Sequence, residues 1–145
     1  MEYKLLEKED LALMKDIIED DDMRFDLVKL NEFLENESVI GFVAKLDNKI
    51  IGFAYGYDII HPNGKHAFFI YSIGILPEYQ NKGYGTCLFK FMKDYIKSHD
   101  FFEMFVLTDK GNPRACHLYE KLGGKNDYEN EICYVFELER IKDIK

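Results

Sequence analysis

The residues from Gln80 to Thr86, written QNKGYGT, place two glycines and a lysine just before a stretch with helical periodicity. A loop that enters a helix presents backbone N–H groups without helical partners, and the helix dipole adds partial positive charge there. Gly83 and Gly85 would let an anion approach this backbone, and Lys82 would add a charged donor. The chemistry indicated is phosphate binding. The alternative is a tight turn that packs the helix closely on the preceding strand.

Two common nucleotide-binding motifs do not fit this loop. The dinucleotide fingerprint GxGxxG needs a third glycine at the position that Leu88 occupies. The P-loop needs GxxxxGK followed by Ser or Thr, and the sequence contains no such run. A nucleotide binder that uses the same glycines therefore stays as a weaker hypothesis.

The periodicity of the chain predicts the elements that hold the loop. Val, Ile, Phe and Tyr are concentrated in three runs separated by short turns, which predicts an antiparallel meander at 38–46, 49–60 and 65–76. Strands are also predicted at 2–6, 101–108 (buried) and 131–139, and helices at 8–20, 20–37, 83–99 and 112–124. Strand-helix-strand units need parallel neighbours, so a mixed sheet in an α/β (α+β) layout follows. We expect one domain over residues 1–145.

The charge and composition of the chain limit the kinds of partner it can bind. The net charge of −8 argues against a nucleic-acid binder, and it permits a cationic small substrate or simply keeps the protein in solution. No apolar run is long enough for a membrane span, and the first residues lack a signal layout, so we expect a cytoplasmic protein without membrane contact. The three cysteines are too widely spaced for a metal motif, and no metal is expected.

Two segments resemble the GNAT superfamily of acetyl-CoA-dependent N-acetyltransferases. IYSIGILPEYQNKGYGTCLFKFM is similar to the motif A of that superfamily through Ile73, Ile75, Pro77, Gln80, Gly83 and Gly85. NPRACHLYEKLG is similar to its Asn-x-x-Ala-x-x-Leu-Tyr-x-Lys-Leu-Gly segment through Asn112, Ala115, Leu118, Tyr119, Lys121, Leu122 and Gly123. The resemblance implies a GNAT-like mixed central sheet of about six to seven strands flanked by about four helices.

The resemblance also implies a site for acetyl-CoA. Backbone amides of Gln80, Asn81, Lys82, Gly83, Tyr84, Gly85 and Thr86 would bind the pyrophosphate of coenzyme A. The strand at Ile73, Gly74 and Ile75 would pair with the pantetheine arm, beside a bulge and a splay in the sheet. Asn112 would contact the same arm, although it also suits a helix N-cap. Tyr119 would contact the cofactor and act as general acid toward the sulfur, although its helical face also suits packing.

The general base and the acceptor are less well indicated. Many members of the superfamily carry an acid on the strand before the glycine loop, but no acid lies from Lys65 to Leu76. Asp58 and His66 are substitute candidates, as are a carboxylate-bound water and deprotonation by solvent. Ser72 stands where the similar strand of aminoglycoside 3-N-acetyltransferases has Asp. Asp21 and Asp22 would border the acceptor, or they belong to a solvated loop.

The reaction expected from the resemblance is transfer of an acetyl group from acetyl-CoA to a primary amine. The acceptor would be a small molecule, such as an aminoglycoside or a polyamine, that attacks directly in a ternary complex. A non-catalytic acyl-CoA-binding module or sensor is the alternative, because the strand acid is missing. We expect a monomer or a homodimer.

Overall fold

The computed structural model describes residues 1–128 and 130–138. The chain divides after Thr108 into two compact units. Its strands are β1 Glu2–Leu5, β2 Val39–Leu46, β3 Lys49–Ile60, β4 His66–Ile75 and β5 Phe101–Val106. Its α-helices are α1 Lys15–Ile18, α2 Leu27–Glu35, α3 Tyr84–Lys97 and α4 Pro113–Lys121, and 3-10 turns span Lys8–Leu13 and Pro77–Tyr79.

The first unit is built on a sheet whose five strands lie side by side in chain order, from β1 to β5. The pairs from β1 to β4 are antiparallel. Strands β4 and β5 are parallel, and α3 makes the long connection that a parallel pair requires. The predicted meander and mixed sheet are therefore confirmed.

Helices cover both faces of this sheet. On one face α3 buries Leu88 and Met92, and Phe42 of β2 contacts the ring of Tyr95 at a centroid distance of 5.5 Å. Neighbouring residues of a strand point to opposite faces, so Val43 faces the other way. It belongs to a second cluster with members of the N-terminal helices, which comprises Leu6, Leu11, Met14, Leu30, Val43, Ile50 and Phe53.

The first predicted helix is divided into two short pieces. The 3-10 turn Lys8–Leu13 precedes α1, and Met14 between them has φ −89° and ψ −1°. Asp10 caps the first piece, because its fully buried carboxylate accepts a hydrogen bond from the Glu7 N–H at 3.0 Å. The sequence pattern predicted one continuous helix over 8–20, and that was wrong.

The last predicted strand is also absent from the described residues. Residues 131–138 have no strand pairing, and their apolar side chains are exposed. Glu139, the last residue of that prediction, lies outside the described residues. A strand exists only when a neighbour completes its backbone hydrogen bonds, and a period of two cannot supply that neighbour. The described sheet thus has fewer strands than expected, and β5 is more exposed than a buried strand.

Candidate active site

The loop between β4 and α3 is held in one conformation by local bonds. Gln80 donates a side-chain hydrogen bond to the carbonyl oxygen of Ile75 at 2.9 Å. Gly83 is the N-cap of α3 and has φ +87°, while Asn81 has φ +62°. The Cys87 N–H donates to the Gly83 carbonyl at 3.1 Å, which closes the first helical turn. The loop therefore delivers the chain into α3 through two left-handed residues.

The two glycines leave open space above the loop. A Cβ added at Gly83 would meet no atom within 4 Å, and one at Gly85 would lie 3.6 Å from Ile75 Cγ1, an ordinary contact. Close helix-strand packing therefore does not require either glycine. The N–H groups at the start of α3 face this space without helical acceptors, which is the geometry of an anion site.

Positive side chains gather around the loop. The Nζ atoms of Lys49 and Lys82 lie 5.4 Å and 5.8 Å from the centroid of the Tyr79 ring. Lys49 comes from the β2–β3 hairpin, so tertiary structure adds a charge that the loop sequence alone does not show. In a chain of net charge −8, two ammonium groups beside a helix start favour an anionic ligand there.

Within the described residues, strand β4 has a free edge that leads to this loop. β3 accompanies β4 as far as Ile75, whereas the pairing with β5 ends at Ile70 and Val106. Tyr55 pairs with Ser72, but the next residue of β3 pairs with Ile70, so Tyr71 is the extra residue of a β-bulge. The bulge and the splay implied by the resemblance are thus present. The edge at 71–75 includes Ile73, Gly74 and Ile75, and it can bond an extended, amide-rich ligand.

The two candidate bases form one pair. His66 Nδ1 lies 2.8 Å from Asp58 Oδ1, and both side chains are partly exposed. The antiparallel register of β3 and β4 brings them together on one face. His66 begins β4, and at roughly 3.3 Å per residue it lies about 17 Å from Tyr71 along the strand. The pair therefore sits at the other end of β4 from the free edge.

Three residues were expected near the acceptor, namely Asp21 and Asp22 of the acidic loop and Ser72 of β4. Asp21 and Asp22 are exposed, and the Asp22 N–H donates to Asp20 Oδ1 at 2.8 Å, so the loop carries its own local turn. Ser72 is exposed at the free edge of β4, next to the bulge. Of these three residues, only Ser72 is itself part of the free edge of β4.

Sequence reasoning missed a group of aromatic side chains on β3 and β4. Tyr55, Tyr57 and Tyr71 contact one another, and Phe33 of α2 packs edge-on against Tyr55 at 5.1 Å. A period of two along β3 would have placed Tyr55 and Tyr57 on one face. The bulge that adds Tyr71 to this group cannot be read from the sequence period.

The second unit carries the other predicted site residues. Asn112 caps α4, and its side-chain oxygen accepts from the Ala115 N–H at 3.1 Å, as predicted. Tyr119 is partly buried in α4. Burial, with a smaller effect of Cys116, raises the pKa of Tyr119 above its usual value, so the phenol keeps its proton at neutral pH. A protonated phenol is the form that a general acid requires.

The described residues contain neither a metal-type cluster nor a membrane-spanning helix. Within them, no three or more His, Cys, Asp or Glu side chains are grouped so as to hold a metal ion. No helix in the same part of the chain combines the length and the apolar character of a membrane span.

Relatives with curated names share part of the chain. The chain is 30% identical to spermidine N(1)-acetyltransferase of Escherichia coli strain K12 over 107 residues, or 73% of the chain. Streptothricin acetyltransferase A of Bacillus subtilis strain 168 is 30% identical over 103 residues, or 71% of the chain. The chain spans about half the length of these relatives, 55% and 54% respectively.

A solved structure supports the fold. An aminoglycoside acetyltransferase from an uncultured soil metagenomic sample, in complex with sisomicin, matches with a TM-score of 0.81. The two are 22% identical, and the match covers 95% of this chain and 96% of the other. The family model described as Acetyltransferase (GNAT) family matches residues 6–124. With the glycine loop, the bulge and the free edge of β4 in place, the chain belongs to the GNAT acetyltransferase family.

Proposed function

We propose that this chain transfers the acetyl group of acetyl-CoA to a primary amine of a small, cationic acceptor. The observation that carries the proposal is the free edge of β4, which runs directly into the glycine loop and the start of α3. The loop offers backbone N–H groups and the nearby Lys82 to a pyrophosphate. The edge at Ile73, Gly74 and Ile75 offers backbone groups to the two amides of pantetheine. One extended ligand with an anionic end satisfies both features.

The reaction needs a neutral amine, because only the unprotonated nitrogen has a lone pair with which to attack the thioester. The amine nitrogen forms a bond to the thioester carbonyl carbon, and the carbon–sulfur bond breaks. The thiolate takes the proton of Tyr119, and the nitrogen loses its extra proton to water, from which Tyr119 is later reprotonated. Tyr119 receives this role from the motif it matches and from its protonated state at neutral pH. The products are an N-acetyl amide and free coenzyme A.

The source of the base follows from the geometry of β4. By the rise of a strand, His66 lies about 17 Å along β4 from Tyr71, and Asp58 lies about 10 Å along β3 from Tyr55, the residue opposite Ser72. Neither side chain is therefore placed next to an amine beside the free edge. We therefore favour loss of the acceptor's proton to solvent before attack. This choice predicts that the pH dependence follows the acceptor's own ammonium pKa.

The proposal is tested by a turnover screen with acetyl-CoA over aminoglycosides, polyamines, amino acids and peptide N-termini. Product should be measured by mass spectrometry, because Cys87 and Cys133 are exposed thiols that would react with a thiol reagent. Acetylation of at least one amine with saturation kinetics is expected. Tight binding of coenzyme A without turnover of any amine would instead favour an acyl-CoA-binding module, which the absence of a carboxylate on β4 also suggests.

A further inference from the structure

Three tyrosines lie beside the proposed acetyl site, and we call Tyr55, Tyr57 and Tyr71 the tyrosine patch. Tyr71 is exposed, and the other two are partly buried. The rings of Tyr55 and Tyr71 stack at a centroid distance of 5.7 Å and an angle of 25°. Tyr57 meets Tyr71 edge-on at 6.0 Å and 90°, and it meets Tyr55 at 6.1 Å and 82°. Three rings in mutual contact thus form one continuous surface.

Core packing accounts for Tyr55, which lies against the core cluster, but it does not account for Tyr71. Phe53, two residues before Tyr55 on the same face, is only 7% exposed, whereas Tyr71 is 61% exposed. Tyr71 is also the extra residue of the bulge, so the strand departs from regular pairing at the position that presents this ring. Bulges commonly re-aim a side chain next to a functional site. Exposed, supported aromatic rings of this kind indicate a binding surface.

The chemistry of the patch favours a cation. Aromatic faces carry partial negative charge and attract ammonium groups. Burial, and then the neighbouring Tyr57 and Tyr71, raise the pKa of Tyr55, so this phenol keeps its proton at neutral pH. Phe25, which follows the acidic loop at Asp21 and Asp22 in the chain, packs against the same core cluster as Tyr55. A positively charged ligand is therefore attracted to this side of the sheet.

The position of the patch connects it to the reaction. Tyr71 is the first residue of the free edge of β4 and directly precedes Ser72, and Tyr55 is the strand partner of Ser72. A group bound on the patch is thus about one side-chain length from a ligand that lies along the edge. The reacting amine must be neutral, so an ammonium on the patch belongs to a different nitrogen of the same acceptor.

We propose that the tyrosine patch binds a second, protonated amino group of the acceptor by cation–π contact, so that the protein selects polyamino acceptors over monoamines. The inference rests on the proposed function, since it assumes that an acetyl group is transferred beside the edge of β4. It assigns recognition to aromatic rings, although the acids of the neighbouring loop are the more obvious feature of the sequence.

Direct binding tests the patch without the reaction. Spermidine is titrated into the protein by calorimetry in the absence of acetyl-CoA. Tyr71→Leu should weaken binding about tenfold, and Tyr71→Phe, which keeps the ring face, should stay within about threefold of wild type. Tyr128→Leu is the matched control, because Tyr128 is 69% exposed and lies outside the patch. Equal losses for Tyr71→Leu and Tyr71→Phe, or no spermidine binding by wild type, would overturn the proposal.

Turnover separates this proposal from the proposed function. Putrescine and butylamine differ in one terminal amino group, so the ratio of their kcat/KM values measures recognition of the second amine. The ratio should exceed one in wild type and fall about tenfold in Tyr71→Leu and in Tyr57→Leu, with circular dichroism confirming that each variant is folded. An unchanged ratio in folded variants contradicts the patch. Patch-dependent spermidine binding without any acetyl transfer supports the patch and contradicts the proposed function.

Discussion

The side-chain amide of Gln80 donates a hydrogen bond to the backbone carbonyl of Ile75 at 2.9 Å, which ties the glycine loop to the last residue of β4. The bond links the part of the site proposed for pyrophosphate with the part proposed for pantetheine. The two parts therefore hold one fixed spacing before any ligand arrives, which reduces the ordering that binding requires.

Removing this link should weaken binding of coenzyme A. A hydrogen bond of this kind contributes about 1 kcal/mol, so Gln80→Ala is expected to raise the Kd of coenzyme A about fivefold by calorimetry. Asn63→Ala is the control. The Asn63 side-chain oxygen accepts a local hydrogen bond from the Lys65 N–H, but it belongs to the β3–β4 turn and not to the glycine loop. An unchanged Kd in Gln80→Ala would show that the loop keeps its shape without the bond.

Substitutions at the glycines of the loop should affect protein stability and coenzyme A binding to different degrees. Gly83→Ala places a side chain at φ +87° and is expected to lower the free energy of unfolding by about 1 kcal/mol. Gly64→Ala, at φ +84° in the β3–β4 turn, should cost a similar amount and leave the Kd of coenzyme A unchanged. Gly85→Ala should leave stability nearly unchanged, because its methyl group would make only an ordinary contact with Ile75 Cγ1 at 3.6 Å. It should weaken coenzyme A binding, because that methyl group would stand at the start of α3 beside the edge residue Ile75.

Urea unfolding and calorimetry with coenzyme A measure the two properties on the same variants. If Gly64→Ala weakened coenzyme A binding as much as Gly85→Ala, the effect would be one of general destabilisation and the loop would lose its special role.

The elements of the proposed cofactor side were predictable because their signals are local. The left-handed residue at Gly83, the helix that follows it and the cap at Asn112 are each set by a few neighbouring residues. A phosphate site at a helix start needs only these features and the backbone. Comparison of two short segments with a known family was therefore enough to place them on the correct elements.

The acceptor side depends on tertiary structure and was not predictable in the same way. Tyr71 joins Tyr55 because a bulge shifts the register of β4 by one residue. Asp58 and His66, considered separately in the sequence, meet because the hairpin register pairs their strands. Lys49 reaches Tyr79 from another hairpin. Such contacts join residues that no local period relates, so only the fold shows them.

Asp10 should make the stability of the fold depend on pH. Lys4 Nζ and Lys45 Nζ lie 2.8 Å and 3.0 Å from its two carboxylate oxygens. Burial alone would raise the pKa of Asp10, but the hydrogen bonds from Lys4, from the Glu7 N–H and from Lys45 outweigh it and lower the pKa below 3.8. A lowered folded-state pKa stabilises the fold above the unfolded-state value, and that stability is lost as pH falls through the folded-state pKa.

Asp10→Asn is therefore expected to lower the free energy of unfolding by about 3 kcal/mol at neutral pH, since it leaves two lysines without their buried partner. The difference between wild type and variant should shrink on acidification below the usual aspartate pKa. Asp16→Asn changes an exposed carboxylate of α1 and serves as the control in urea unfolding. A difference that stays constant as the solution is acidified would mean that Asp10 acts through packing.

Tyr119 offers the sharpest test of the chemical step. Tyr119→Phe keeps the ring and removes the proton, so kcat should fall about a hundredfold while the Kd of coenzyme A stays within about twofold. Because burial raises the pKa of Tyr119 above 10.0, the wild-type acid is lost only at pH values above that. Wild-type kcat/KM should therefore rise with pH as the acceptor becomes neutral and should not fall before the raised pKa is reached. Tyr128→Phe, which removes an exposed phenol outside the motif, should match wild type. A Tyr119→Phe variant with wild-type kcat would assign Tyr119 to packing within α4 and leave protonation of the sulfur to solvent.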